Sequence, residues 1–225
     1  MIPWRERGRA HTPDGSELVL SEHDGDFSIR VDGYELMSSR KHGSEESMAE
    51  IGCADAVRKS RPSVLVGGLG LGYTLRATLD RMPEDARVTV AELVPAVVDW
   101  NRDILGHLAG KPLADPRVEV FTGDVAALLK QSRQAFDVIL LDVDNGPTAM
   151  TSSDNKWLYG MHGLSTIHQA LQPGGVVIVW SAGPDSAFED RMRKTGFKVD
   201  RHHAAARATG KGGKHTLFRG RRGER

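Results

Sequence analysis

Glycines and acidic residues follow four short apolar runs of the sequence, and their spacing could support chemistry on a charged ligand. Residues 67–72 (G-G-L-G-L-G) follow the first run, Glu92 the second, residues 123–124 (G-D) the third and residues 142–144 (D-V-D) the fourth. Acidic side chains are rarely buried without a partner, so packing alone explains these positions poorly. They predict a ligand site where the four runs end.

The glycine segment is typical of a loop whose backbone approaches a ligand closely. Gly68, Gly70 and Gly72 form the pattern G-x-G-x-G, which is associated with folds that bind S-adenosylmethionine. The dinucleotide pattern G-x-G-x-x-G fails from Gly68, because Tyr73 occupies the third glycine position. Glycines that serve only the turn geometry remain the alternative.

Two acids after the next runs could hold the nucleoside part of such a ligand. The carboxylate of Glu92 can accept both hydroxyl protons of a ribose, although a solvated strand end is the alternative. Asp124 could accept from an adenine amino group or cap the helix that begins after it. Both roles of Asp124 are compatible.

Among the acidic positions, the segment D-V-D-N-G-P, with Asp142, Asp144 and Asn145, is the most informative about function. Two acids that are two positions apart at a buried strand end would not both face solvent if strand geometry persists. Such anions suit a cationic substrate or a sulfonium centre, and a carboxylate can orient an amine and accept its proton. Mg²⁺ binding and simple turn capping are the alternatives.

Other residue types give weaker signals. Trp157 and Tyr159 follow the acidic segment and could either wall a cleft or pack in the core. The nine histidines show no spacing typical of a metal site, so none is predicted. The lone Cys53 stands in a helical stretch and is more typical of a core residue than of a nucleophile.

The elements that must position these residues follow from turn signals and periodicity. Turn signals at residues 23–25 and 32–33 predict two or three antiparallel strands in a small N-terminal β unit, residues 1–43. From residue 44 to residue 225 strands alternate with helices, which predicts one doubly wound α/β domain with a mainly parallel sheet. Its predicted helices cover residues 44–58, with Ser44 as N-cap, and 73–81, 95–108, 125–131, 155–171 and 188–194.

Composition restricts the class of protein. The chain has 225 residues and a formal net charge of zero, so nothing attracts it generally to nucleic acid or to an anionic membrane. Its apolar runs are far shorter than the ~20 residues that span a bilayer. Its first ten residues carry charges where a signal peptide needs an apolar stretch. We expect a cytoplasmic enzyme or binding protein that acts on a small molecule.

The order of these motifs resembles the spermidine synthase family, which shares the class I methyltransferase fold, Rossmann-like in its sheet. The resemblance runs from about Leu18 to Phe218 and includes D-G-Y-E-L-M-S-S-R-K-H-G-S-E-E-S-M, the glycine segment and L-Q-P-G-G. It implies that Glu92 binds ribose, that Asp124 binds the adenine end and that Asp142 lies beside the attacking amine. It also implies a homodimer.

Departures from the family pattern bear on the reaction. Gly70 replaces an aspartate that helps hold the amino group of decarboxylated S-adenosylmethionine, and its loss removes an anion that would repel the carboxylate of S-adenosylmethionine itself. Glu45 replaces a tyrosine of the polyamine channel. The family loop D-S-S-D-P appears as D-V-D-N-G-P, so the second aspartate is displaced. If Glu45 and Glu46 face the cleft, they favour a cationic or amine acceptor.

The sequence therefore predicts a transferase that uses S-adenosylmethionine or its decarboxylated form. Methyl transfer to a small amine is the first preference, aminopropyl transfer to a diamine is the alternative, and a non-catalytic adenosyl-binding protein is a further one. A nicotinamide-dependent oxidoreductase is disfavoured by Tyr73. The predicted site has three groups: catalytic Asp142, Asp144 and Glu46; cofactor-binding Gly68, Gly70, Gly72, Glu92 and Asp124; substrate-binding Glu45, Asn145 and Tyr159.

Overall fold

The computed structural model of the chain describes residues 3–143, 157–206 and 213–224. Four antiparallel strands form the N-terminal sheet in the order β1-β2-β3-β4. These strands are β1 (Arg5–His11), β2 (Glu17–His23), β3 (Asp26–Val31) and β4 (Tyr34–Ser38). The sequence predicted two or three strands and missed β1. Its residues, RERGRAH, carry almost no apolar alternation, and backbone pairing with β2 defines this strand instead.

A second sheet has seven strands in the order β10-β11-β9-β8-β5-β6-β7. Its strands are β5 (Ser63–Gly67), β6 (Arg87–Glu92), β7 (Val118–Thr122), β8 (Phe136–Leu141), β9 (Leu171–Ser181), β10 (Lys198–Ala205) and β11 (Lys214–Arg221). Five of them, β5 to β9, run parallel, and β11 pairs antiparallel with β9 and β10. The predicted doubly wound, mainly parallel sheet is confirmed.

Six α-helices lie wholly within the described residues: α1 (Gly43–Cys53), α2 (Tyr73–Arg81), α3 (Pro95–Asp103), α4 (Val125–Gln131), α5 (Met161–Ala170) and α6 (Ser186–Lys194). Three predicted helices are shorter than expected. Separate 3₁₀ turns cover Ala56–Arg58 and Gly106–Ala109, and within the described part of the predicted helix 155–171 helix α5 covers only Met161–Ala170. The prediction of Ser44 as the N-cap of α1 is wrong, because His42 occupies that position. None of the helices in the described ranges is long and apolar enough to cross a membrane.

The seven-stranded sheet is covered on both faces. Alternate residues of β5 point to opposite sides, so Val64 and Val66 join one buried cluster while Leu65 joins the other. The first cluster includes Met48 of α1, together with residues of α2 and α3; the second includes residues of α4, α5 and α6 such as Leu129. This double cover explains why the parallel strands read as continuous apolar runs.

The N-terminal sheet lies against the first of these layers. Leu20 and Ile29 belong to the same buried cluster as the helices α1 to α3. The ring of Phe27 meets His107 edge-on, with ring centroids 5.7 Å apart. A sheet of this size buries its apolar face only against another element. The division of the chain at residue 43 stays a prediction.

Candidate functional site

The candidate site lies where the strand order of the large sheet reverses. After β5 the chain builds outward through β6 and β7, and β8 then returns to the other side of β5. Gly67 and Leu141 are paired at the ends of β5 and β8, and the N–H of Asp142 donates to the Gly67 carbonyl at 2.9 Å. Ligands of open α/β sheets bind beyond the carboxyl ends of the strands at such a point.

The glycine segment makes a tight turn between β5 and α2. Gly68 has φ +91°, and a Cβ at this position would overlap the Asp142 carbonyl oxygen. Gly72, with φ +87°, is the N-cap of α2, and its N–H donates to the Leu69 carbonyl at 2.8 Å. The turn therefore excludes side chains and leads directly into a helix N-terminus, which suits close approach by a ligand.

A buried asparagine holds this turn in place. The Nδ2 of Asn101 in α3 donates to the Gly70 carbonyl at 2.8 Å and to the Val97 carbonyl at 2.9 Å. Asn101 is only 2% exposed. The sequence did not point to this residue, since a single polar residue within a predicted amphipathic helix carries no signal of its partner.

Glu92, at the end of β6, presents its carboxylate to the same turn. One oxygen accepts the N–H of Leu69 at 3.0 Å and the other accepts the N–H of Val94 at 2.9 Å. Burial raises the pKa of Glu92, and these backbone hydrogen bonds oppose the rise. A carboxylate offers about four acceptor positions, so acceptor capacity is left for ligand hydroxyls. The predicted ribose contact of Glu92 fits this geometry and stays a prediction.

Asp124 lies next to Glu92 but is more exposed. The N–H of Gly123 donates to the Glu92 carbonyl at 2.8 Å, which joins the ends of β6 and β7. The Oδ1 of Asp124 accepts the N–H of Ala126 at 2.8 Å, so this residue is the N-cap of α4. One of its two proposed roles is thus observed, and the adenine contact stays a prediction.

Asp142 follows the last residue of β8 and is half-buried. Its Oδ2 accepts the hydroxyl of Thr74, in the first turn of α2, at 3.0 Å. Burial raises the pKa of Asp142, and the Thr74 hydrogen bond partly opposes that rise. Strand end and helix start together hold this carboxylate beside the glycine turn.

A second carboxylate, from α1, lies near Asp142. Burial raises the pKa of Glu45 strongly, and the charge of Asp142 raises it further. The Ser44 hydroxyl donates to Glu45 Oε2 at 2.7 Å. Two repelling carboxylates in a partly desolvated site favour retention of a proton or binding of a cation. The structure thus brings together Glu45 and Asp142, which the sequence assigned to the acceptor and the reaction centre.

Glu46 has a different neighbourhood from Glu45. Its Oε1 lies 2.8 Å from Nδ1 of His42, whose ring stacks on Tyr73 with centroids 4.3 Å apart. The pKa of Tyr73 is raised by burial first and then by the charges of nearby acids, including Glu45 and Glu46. Tyr73 therefore lies close to both glutamates. The predicted catalytic role of Glu46 stays a prediction.

The remaining predicted residues divide into two groups. Asp144 and Asn145 lie outside the described residues. Tyr159 is buried, with its ring edge-on to Phe188 and its hydroxyl donating to the Val143 carbonyl at 3.1 Å. It therefore supports the backbone just after Asp142, and its predicted substrate contact stays a prediction.

Met37 of β4 reaches the glycine turn from the N-terminal sheet. Its sulfur lies 3.2 Å from the position that a Cβ on Gly70 would take. Met37 thus occupies the space beside Gly70 into which a side chain at that position would project. No motif indicates this contact, because it joins the N-terminal sheet to the loop that follows β5.

The sequence and the fold are both similar to known proteins. The family model "Spermine/spermidine synthase domain" matches residues 41–192. The polyamine aminopropyltransferase of Corynebacterium efficiens is 30% identical over 77% of this chain and 32% of that protein. That of Oceanobacillus iheyensis is 28% identical over 77% of this chain and 33% of that protein. The chain therefore spans about a third of the length of these two curated relatives.

Solved structures agree in fold. Spermidine synthase from Thermotoga maritima superimposes with a TM-score of 0.77 at 18% identity, over 98% of this chain and 74% of that one. A spermidine synthase in complex with the transition state analogue AdoDATO superimposes with a TM-score of 0.76 at 18% identity, over 98% of this chain and 73% of that one. The class I methyltransferase-like fold with a small N-terminal β unit is thus confirmed.

Proposed function

Because the chain belongs to the spermine/spermidine synthase family, we propose that it transfers an aminopropyl group from decarboxylated S-adenosylmethionine to an amine acceptor. The observation that carries this proposal is the pair of carboxylates, Glu45 and Asp142, beside the glycine turn. A polyamine acceptor is cationic at neutral pH, and a site with two repelling anions favours such a ligand.

The donor would lie across the glycine turn. Gly68 lets the glycine turn pack directly against the Asp142 carbonyl, where a Cβ would overlap, and Glu92 is a buried carboxylate with remaining acceptor capacity. These features fit an adenosyl ligand, with Glu92 on the ribose and Asp124 toward the adenine. The sulfonium supplies a good leaving group, so the protein mainly aligns the reactants and stabilises charge.

The acceptor amine reacts only after losing a proton. Its ammonium form would bind between Glu45 and Asp142, and one carboxylate would accept the proton. The nitrogen lone pair then forms the new C–N bond as the C–S bond breaks, and the electrons of that bond stay on sulfur. One proton is released per turnover, and the sulfur-containing product is the neutral thioether methylthioadenosine.

Methyl transfer, the first preference from the sequence, receives no support from the relatives, whose names specify aminopropyl transfer. One observation keeps it as a second candidate. Gly70 provides no carboxylate at the position beside Met37, so residue 70 does not repel the carboxylate of S-adenosylmethionine. A cytoplasmic location, a homodimer and the lack of nucleic-acid or membrane partners stay predictions.

Product analysis separates these candidates. The purified chain is incubated with a diamine and either decarboxylated S-adenosylmethionine or S-adenosylmethionine, and the nucleoside product is identified by chromatography. We expect methylthioadenosine from the first donor and no turnover of the second. Formation of S-adenosylhomocysteine instead would replace aminopropyl by methyl transfer. If both donors bind without product, the chain is an adenosyl-binding protein, and the proposal is wrong.

A further inference from the structure

A line of hydrogen bonds runs from Glu45 away from the candidate site to a histidine on β11. The Ser44 hydroxyl donates to Glu45 Oε2 at 2.7 Å, and Nδ1 of His215 lies 3.1 Å from the same hydroxyl oxygen. Ser44 is 2% exposed, whereas His215 is half-buried. The line therefore connects two half-buried groups, Glu45 and His215, through the buried hydroxyl of Ser44.

Ser44 differs from the next serine of the same helix. Ser47 donates to the carbonyl of Gly43, four residues earlier, at 2.9 Å, which is the usual bond of a serine inside a helix. Ser44 instead points sideways, where Glu45 and His215 share its hydroxyl. A hydroxyl can accept one proton while it donates another, so it can pass a proton between these two groups.

His215 is held in position to complete this line. Its ring meets Trp180 of β9 edge-on, with centroids 4.6 Å apart and an interplanar angle of 74°. Burial first, and then the charge of Lys41, lowers the pKa of His215. The imidazole is thus neutral at neutral pH and has one nitrogen able to accept a proton.

We propose that Ser44 and His215 form a relay that carries the proton of the acceptor amine from Glu45 toward solvent. The inference rests on the proposed function, which requires the ammonium to lose one proton. Glu45 accepts that proton, the Ser44 hydroxyl turns to donate its own proton to Nδ1 of His215, and Ser44 accepts the proton of Glu45. The imidazolium then releases its Nε2 proton to water, and exchange of the remaining Nδ1 proton with solvent restores the Nε2–H tautomer, whose Nδ1 can accept from Ser44 again.

Several other charged or titratable groups surround this line and would influence its pH dependence. Asp142, Glu46 and Tyr73 interact with Glu45, and Lys41 interacts with His215. His202 of β10 lies two residues from Ala204, the cross-strand partner of His215. Variants of the relay must therefore be compared with variants that leave these groups in place.

The relay predicts a specific pattern of loss and rescue. His215→Ala and Ser44→Ala should each lower kcat about 100-fold, the lower end of the contribution of a positioned proton-transfer group. The dissociation constant of the adenosyl ligand should stay unchanged. Added imidazole should restore turnover in His215→Ala, where it can fill the space of the lost ring, but not in Ser44→Ala. The kcat restored in His215→Ala should rise with the concentration of neutral imidazole, so a fixed total amount of imidazole should rescue better at higher pH.

Two matched controls separate a relay from a structural role. Ser47→Ala changes a serine of the same helix, and His168→Ala removes a half-buried imidazole that meets Phe197 edge-on at 5.0 Å. Both should keep wild-type kcat per folded protein and show no response to imidazole. Wild-type kcat in His215→Ala or Ser44→Ala, or a loss that imidazole never restores in His215→Ala, would overturn the relay. A wild-type chain that forms no methylthioadenosine would overturn the proposed function, and the relay with it.

Discussion

The two halves of the candidate site hold their carboxylates in opposite ways. On the donor side, each oxygen of Glu92 accepts a backbone N–H of the surrounding turns, at 3.0 and 2.9 Å. On the acceptor side, Glu45 and Asp142 accept side-chain hydroxyls and repel each other. Backbone donors stabilise an ionised carboxylate, whereas a neighbouring anion destabilises it.

This difference suggests that the donor side is preorganised before its ligand binds, whereas the acceptor side is stabilised by its ligand. On the proposed donor side, backbone hydrogen bonds already fix the carboxylate of Glu92 without a ligand. On the acceptor side a bound cation would relieve the repulsion between Glu45 and Asp142. We therefore expect changes on the donor side to act on affinity and changes on the acceptor side to act on charge and proton transfer.

The largest effect should come from Asp142→Asn, which keeps the shape of the side chain and removes its charge. We expect turnover to fall ~10²-fold or more, because the attacking amine becomes cationic beside this position. Affinity for the adenosyl donor should change little. Melting temperature, donor affinity and turnover, measured on the same preparation, test this expectation.

Asp137→Asn is the matched control, because Asp137 lies at the opposite end of the same strand. It accepts the N–H of Ser63 at 2.9 Å and pairs with Lys59 at 2.6 Å. Its loss should cost about 1 kcal/mol of stability and leave turnover per folded protein unchanged. Full activity in Asp142→Asn would assign the reaction-centre role to another acid. It would also contradict the expectation that changes on the acceptor side act on charge and proton transfer.

The parts of the fold that local patterns specify were predictable. Helix α2 was predicted with its observed limits, residues 73–81, and the family resemblance and the doubly wound sheet are confirmed. Strand β1 was missed because pairing rather than apolar alternation defines it. Ser44 was taken as an N-cap because it precedes two acids, which is a strong local signal, yet the observed N-cap is His42, two residues earlier.

The candidate site was predictable where a strand end marks it and not where distant segments meet. Glu92 and Asp142 follow apolar runs, so their convergence follows from sheet geometry. His215 lies 171 residues from Ser44 in the sequence, and Met37 reaches Gly70 from a different sheet. No periodicity or motif encodes such contacts, because packing of whole elements creates them.

The donor side is tested by Glu92→Gln, which replaces a charged acceptor with an amide. We expect affinity for adenosyl ligands to fall by ~1.5–3 kcal/mol, the scale of a hydrogen bond to a charged group. Calorimetric titration measures this loss. Glu119→Gln on the neighbouring exposed part of β7 should leave affinity unchanged. An unchanged dissociation constant in Glu92→Gln would remove this residue from the donor site.

On the acceptor side, Glu45→Gln should have two effects of opposite sign. A raised pKa means that the folded chain holds the Glu45 proton more tightly, so its contribution to stability is complete below the unfolded pKa and disappears as pH rises through the folded pKa. In the variant, the free energy of unfolding should not show this decline with pH. At high pH it should exceed that of the wild type by on the order of 1 kcal/mol. Amine affinity should fall about 10-fold. Glu46→Gln is the control, and the same pH profile in both variants would contradict the assignment.

The smallest expected effect concerns donor choice at Gly70. Its φ of +53° lies in a region that aspartate tolerates better than most side chains, but a Cβ there would lie 3.2 Å from the Met37 sulfur. Met37→Ala should give the new carboxylate room, so we compare the double variant Gly70→Asp, Met37→Ala with Met37→Ala alone. The added anion should attract the donor ammonium and repel the carboxylate of S-adenosylmethionine. We expect the affinity ratio of the decarboxylated to the ordinary donor to rise about 5-fold, as for a partly exposed charge pair worth about 1 kcal/mol. Equal changes for both donors would mean that Gly70 lies away from the amino-acid end, and that its departure from the family pattern does not determine donor choice.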